Sequence, residues 1–138
     1  MRIMGLDVGT KRIGVAMSDE LLLTAQGADS IERRLLDKDL EKIKDLVTAN
    51  DVAEVIVGLP LNMNGSYSAK TKEVVEFADS LKGAVKVPVR TWDERLTSVQ
   101  AQRALLEADT SRSRRKRLAD KLAAQFILQS YLDSRKRG

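Results

Sequence analysis

The feature that most constrains this 138-residue chain is a change of hydrophobic period near residue 36. Before it, apolar residues alternate. Ile3, Leu6 and Val8 open the chain and Gly9-Thr10-Lys11-Arg12 interrupts. Ile13, Val15 and Met17 then alternate with Gly14, Ala16 and Ser18. That pattern predicts two strands joined by a tight turn, followed by a weaker third strand over 22–31. After it, Leu36, Leu40, Ile43 and Val47 recur at helical spacing, which is one face of a helix. Val55-Ile56-Val57 is a continuous β-branched run, expected of a strand covered on both faces. Residues 58–65 read as a loop with Pro60 and an Asn64-Gly65 turn signal. Val74, Phe77, Ala78 and Leu81 mark a second helix. Residues 85–92 read as a strand that Pro88 places at a sheet edge. Thr97 and Gln100 make a capping box for a helix through 108. Residues 109–113 are a polar break, and Leu118, Leu122, Phe126 and Ile127 give a last amphipathic helix ending near 133. An antiparallel meander followed by βαβ crossovers predicts an α/β fold, a mixed five-stranded sheet with helices on both faces, in a single domain over 1–138.

The absence of cysteine and histidine narrows the chemistry. It removes disulfides, thiolate and imidazole zinc sites, cysteine nucleophiles, Ser-His-Asp triads and histidine acid–base work. An enzyme made from this chain must use carboxylates, amines, hydroxyls and a metal. Aromatic residues make up 4% of the sequence, too few for a single-strand binder that stacks bases along an array of exposed rings. Charge is unevenly spread: residues 1–110 carry 15 basic and 18 acidic side chains, residues 111–138 nine basic and two acidic. The excess lies in Arg112, Arg114, Arg115, Lys116, Arg117 and the terminal Arg135, Lys136, Arg137. Such clusters suit a polyanion, because neutralising phosphates releases condensed counterions; the plainer alternative is a solvated helix end. No apolar run approaches the roughly 20 residues of a membrane span, and no signal peptide opens the chain. A cytoplasmic protein without a membrane partner is expected.

Three acids stand out. Asp7 ends the first strand within Gly5-Leu6-Asp7-Val8-Gly9. An acid among strand residues is costly to bury unless paired or metal-bound, and the flanking glycines let a backbone or phosphate approach. It could instead cap a turn or pair with Lys11 or Arg12. Asp93-Glu94-Arg95 follows the last strand, where ligands of open α/β sheets bind. Adjacent acids on an extended backbone point opposite ways, so at most one of Asp93 and Glu94 faces a shared site; a surface pair with Arg90 or Arg95 is the alternative. Asp120 lies in the last helix, with the small residues Ala123 and Ala124 on its face; a surface pair with Lys116 or Arg117 is again open. Three carboxylates converging without histidine suit one or two Mg²⁺ ions. Two such ions about 4 Å apart activate a water and stabilise the leaving oxygen of a phosphodiester. The basic residues Arg114, Arg115, Lys116 and Arg117 just before Asp120, with Arg112, and Lys11 and Arg12 after Asp7, are expected to grip the nucleic-acid backbone, with Arg95 as a further contact.

The sequence resembles the YqgF family, also called RuvX, small bacterial proteins of the RNase H-like superfamily. The resemblance rests on Gly5-Leu6-Asp7-Val8-Gly9-Thr10-Lys11-Arg12-Ile13-Gly14-Val15-Ala16 with Ser18-Asp19, and on Val57-Gly58-Leu59-Pro60-Leu61-Asn62-Met63-Asn64-Gly65. It continues through Asp93-Glu94-Arg95-Leu96-Thr97-Ser98, Asp120, Ala123-Ala124 and Ile127-Leu128, spanning nearly the whole chain. It implies an RNase H-like fold and a nuclease that matures the 5′ end of pre-16S rRNA in ribosome biogenesis or, alternatively, resolves Holliday junctions. It further implies a metal-dependent phosphodiesterase using Mg²⁺ (or Mn²⁺), with Asp7, Glu94 and Asp120 as catalytic and metal-binding acids. The partners implied are an rRNA precursor or branched DNA and the ribosome, the chain being a monomer or a weak homodimer. One departure matters: junction resolvases of the RuvC type carry an acid after the fourth strand, whereas residues 58–68 here contain none. Glu94 must substitute from the next strand, so RuvC-like geometry does not carry over.

Two further readings belong to other classes. Asp7-Val8-Gly9-Thr10 looks like the first phosphate loop of actin-like ATPases and sugar kinases, but those need two lobes and a second such loop. A non-catalytic RNA- or ribosome-binding module on the same fold would keep the basic segment without cleavage; a metal-dependent cleavage assay separates it from a nuclease.

Overall fold

The computed structural model describes residues 1–96 and 112–137; the side chains of residues 96, 112–120 and 137 are outside that description. Five strands form one sheet: β1 (Arg2–Val8), β2 (Arg12–Ser18), β3 (Ala25–Glu32), β4 (Val52–Leu59) and β5 (Val89–Asp93). Their spatial order is β3-β2-β1-β4-β5. β1 pairs antiparallel with β2, and β2 with β3, whereas β4 runs parallel to β1 and β5 parallel to β4. The sheet is therefore mixed, with helices α1 (Leu36–Ala49) and α2 (Ala69–Ala84) as crossovers and α3 (Arg112–Arg137) after β5, as the alternation of periods predicts.

Boundaries differ from expectation in three places. The third strand is β3 over 25–32, because residues 19–24 form a turn in which the Asp19 carboxylate accepts from the Leu23 and Thr24 amides. Residues 85–88 lie outside β5, whose pairing starts at Val89; β5 is the edge strand Pro88 indicated. The last helix spans Arg112–Arg137 rather than running from near Leu118 to near 133, so the basic residues form its first turns instead of preceding it. The helix expected over 97–108 falls outside the described residues.

Strand alternation divides the core in two. Met4, Leu6, Val8, Ile13, Val15, Val55, Val57, Leu59 and Val89 pack beneath α1 and α2 with Ile43, Val47, Val74, Phe77 and Leu81. Ile3, Ala16 and Ile56 face the other way, against Ala123, Ala124, Ile127, Leu128 and Leu132 of α3. Burying each large aliphatic side chain stabilises the fold by about 1.5–3 kcal/mol relative to exposure. α2 starts with a reciprocal capping box: Ser68 Oγ accepts from the Thr71 amide, and Thr71 Oγ1 from the Ser68 amide. α1 has no side-chain cap at Leu35. In its place buried Asp39 accepts from the Arg34 amide at 2.9 Å and Arg33 Nε at 3.0 Å. Among the described residues no helix is long and apolar enough to cross a membrane.

Candidate active site

Asp7 is buried near the C-terminal end of β1. Odd-numbered residues of β1 face α3, so Asp7 does too. Its antiparallel partner on β2 is Gly14. Leu6 pairs with Val57 of β4, so Gly58 flanks Asp7 on the other side; Gly5 stands two residues before it. Neighbours without side chains thus flank Asp7 on three sides, and the space over Gly5 and Gly58 is taken by α3 and Glu94. Gly5 and Gly58 are needed for packing. A Cβ on Gly5 would lie 2.8 Å from Leu128 Cβ and 3.2 Å from the Ala124 carbonyl, and one on Gly58 2.5 Å from Ile127 Cδ1.

Glu94 fills the space above Gly58. Its Oε1 lies 2.8 Å, and its Cγ 3.2 Å, from where a Gly58 Cβ would be. Neighbouring strands are about 4.8 Å apart, so Glu94, against Gly58, stands over the strand next to Asp7 and on the same face of the sheet. Of the two acids after β5, Glu94 is the one against Gly58. Asp93 is bound by Arg95 through Nε at 3.1 Å to both carboxylate oxygens and Nη2 at 2.8 Å, while the Arg95 amide donates to Asp93 Oδ1 at 2.9 Å. This fork holds the Asp93 carboxyl below its ordinary range and raises the Arg95 guanidinium above its own. Arg95, expected on the nucleic-acid backbone, thus pairs with Asp93 and also donates to the Met63 carbonyl at 3.0 Å.

α3 runs antiparallel to β1 and β4: Ile127 lies over Gly58 and Tyr131 bonds to Glu54. Ala124 and Leu128 lie over Gly5. Two strand residues rise about 6.6 Å and a helical turn about 5.4 Å. One turn back from Ala124, on the same side of the sheet as Asp7, the helix position is Asp120. The side chain of Asp120 lies outside the described residues, as do those of Arg112, Arg114, Arg115, Lys116 and Arg117 in the preceding turns. Among the described residues no three acids gather to hold a metal; Asp7 and Glu94 are two.

The turn after Asp7 is held from outside the motif. The Gly9 amide donates to the Arg12 carbonyl at 2.9 Å, and the Arg33 amide to the Lys11 carbonyl at 2.8 Å. Arg33 Nη1 donates to the Gly9 carbonyl at 2.9 Å, while its Nε is paired to Asp39. Lys11 is exposed at the tip, and Arg12 is in phase with Gly14, on the face that carries Asp7. Sequence reasoning missed Gly14, Gly58, Arg33 and Asp39. A signal for the first two was present, because each glycine interrupts an otherwise filled strand; none was present for the other two.

The family described as RuvX, Holliday junction resolvase, matches residues 1–134. A Syntrophomonas wolfei protein provisionally named pre-16S rRNA nuclease is 55% identical over 133 residues, covering 96% of this chain and 94% of its own. One from Halothermothrix orenii with the same name is 51% identical, covering 96% and 95%. Among solved structures, Thermus thermophilus RuvC superposes with a TM-score of 0.61 at 14% identity over 99% of this chain and 97% of that one. The fowlpox virus Holliday junction resolvase gives 0.57 at 16% identity over 97% and 99%. These two likenesses are of fold.

Proposed function

The chain belongs to the RuvX family, and from that premise we propose that it is a metal-dependent nuclease whose substrate is pre-16S rRNA, cut near its 5′ end. The observation that carries this reading is the Glu94 carboxylate seated over Gly58, on the strand next to Asp7: one acid from β1 and one from just after β5, on the same face of the sheet. With Asp120 from α3 they form an all-oxygen donor set that fits a hard divalent cation, Mg²⁺ or Mn²⁺, and suits softer ions poorly. Such an ion supplies Lewis-acid polarisation of the phosphate and a more acidic bound water. The chain's own part is to hold the carboxylates in register on three elements. The missing side chains at Gly5 and Gly58 let α3 and Glu94 close onto the sheet beside Asp7. Lys11, Arg12 and the first turns of α3 fix that backbone electrostatically without choosing sequence, with the ribosome-bound precursor as the natural form of the substrate.

The test compares cleavage of a precursor rRNA 5′ leader and a four-way DNA junction by wild type and Asp7→Asn, with Mg²⁺ and with chelator. Metal-dependent cleavage of the leader, lost in Asp7→Asn, is expected. Preferential cutting of the junction would make the chain a resolvase, and cleavage of neither a non-catalytic binding module.

A further inference from the structure

The segment between β4 and α2 is a small rigid turn at the end of the sheet where Asp7 and Glu94 lie. Leu61 bridges Tyr67 in antiparallel fashion. Inside that bridge the Asn62 amide donates to the Ser66 carbonyl at 3.0 Å and the Gly65 amide to the Asn62 carbonyl at 2.8 Å. Gly65 has φ +86°, a conformation that favours glycine. Asn62 Nδ2 donates to Ser66 Oγ at 2.9 Å, and Asn64 Oδ1 accepts from the Ser66 amide at 3.0 Å and hydroxyl at 2.6 Å. Thr71 Oγ1 donates to the Pro60 carbonyl, tying the start of the turn to α2. Arg95, the residue after Glu94, donates to the Met63 carbonyl and lies against Gly65. The acid and the turn are thus held by neighbouring residues.

What this turn presents to solvent is uncharged. Residues 58–68 carry no charge, so the turn offers nothing to a phosphate. Asn62, Asn64 and Ser66 direct side-chain hydrogen bonds to one another and to the turn's own backbone, which reduces their use for reading base edges. Leu61 packs against the core, but two of the turn's apolar side chains are outside: Met63 is 82% exposed and Tyr67 56%. Of the five aromatic residues, Phe77 is in the core and Trp92, Phe126 and Tyr131 pack against α3's side of the sheet; Tyr67 alone is exposed.

We propose that the 61–67 turn is a preformed stacking subsite in which Tyr67 and Met63 take one unpaired base of the strand being cut. This deepens the nuclease reading and rests on it: the strand whose backbone lies at Asp7 and Glu94 is single-stranded where it crosses the turn. One ring accommodates one base, which agrees with a chain too poor in aromatics to line a long single-strand groove. Stacking tolerates any base, because every base has a π-face. The subsite therefore selects unpaired over duplex structure rather than sequence, and its preformed backbone lowers the ordering cost of binding.

The test measures binding, in an Asp7→Asn background that prevents cleavage, of a short single-stranded RNA carrying 2-aminopurine and of the same RNA in a duplex. With the native turn, 2-aminopurine fluorescence changes on binding of the single strand. Tyr67→Phe preserves the change and the affinity. Tyr67→Ala abolishes the change and weakens single-strand binding by roughly 5- to 100-fold, with duplex binding and the salt slope unaltered because no phosphate contact is lost. Met63→Ala has a smaller effect in the same direction. Wild-type-like binding and fluorescence in Tyr67→Ala would overturn the subsite, as would equal losses on single strand and duplex. Failure of the parent enzyme to cleave would instead count against the nuclease reading, which this measurement does not use.

Discussion

At the scale of residues, the site is defined as much by side chains that are missing as by those present. Asp7→Asn keeps the shape of the side chain and removes its charge, so cleavage falls to background. Acids grouped without a metal repel; the variant is therefore expected to melt at the wild-type temperature or a few degrees above it, measured by calorimetry in chelator. Gly58→Ala makes a sharper test of Glu94. The new methyl meets side chains rather than backbone, Ile127 Cδ1 at 2.5 Å and Glu94 Oε1 and Cγ at 2.8 and 3.2 Å, so folding loses about 1 kcal/mol. Displacing a carboxylate by a fraction of an ångström to an ångström lowers turnover by about 10²-fold. A stability loss with full activity would show that Glu94 is not held for catalysis. Asp93→Asn, one residue away, should leave Glu94 over Gly58 and act through Arg95, loosening the turn at Met63; amide hydrogen exchange over 61–67 is the measurement.

At the scale of elements, α3 is what connects the basic stretch to the acids in the proposed nuclease. Its first turns carry Arg112, Arg114, Arg115, Lys116 and Arg117, and its middle turns lie over Gly5 and Gly58. Neutralising Arg114 and Arg115 together is expected to weaken binding to all substrates alike and to flatten the salt dependence by about one unit of slope per lost contact. Unchanged affinity and slope would reduce this stretch to a solvated helix end. Gly5→Ala acts on the same helix from below. The added methyl meets Leu128 Cβ and the Ala124 carbonyl, neither of which moves without the helix. A destabilisation of about 1–3 kcal/mol, read by urea unfolding, is expected together with lost cleavage.

At the scale of the whole molecule, stability responds to pH at Asp93 and at Tyr131. Asp93 is held below the ordinary 3.8 by its fork with Arg95. That contribution is complete above the unfolded value and is lost as pH falls below 3.8 toward the folded one, because the unfolded chain takes up the proton first. Tyr131 is raised above the ordinary 10.0, by burial first and then by its hydrogen bond to Glu54. Glu54 is also paired with Arg90 at 3.4 Å and Arg135 at 3.7 Å. Here stability is complete below 10.0 and declines as pH rises through the folded value. Tyr131→Phe should remove that alkaline component of the denaturation curve while leaving the acid limb unchanged.

The sequence by itself determined the mixed sheet, the order of its elements, the edge position of β5 and the acids from which a site had to be assembled. Each of these depends on local signals: alternation in β1 and β2, helical spacing in α1, an unbroken apolar run in β4, a proline before β5. Only the tertiary structure decided what stands beside what. Asp93 and Glu94 are equivalent in sequence and were separated by Arg95 and by the space over Gly58. Gly14 and Gly58 flank Asp7 only through the pairing of β1 with strands before and after it. Arg33, 24 residues from Gly9, holds the turn after β1, and Tyr67 was left outside while the other four rings found partners. The physical reason is that periodicity is a property of neighbours along the chain, whereas register is settled by the sum of contacts between segments far apart in it.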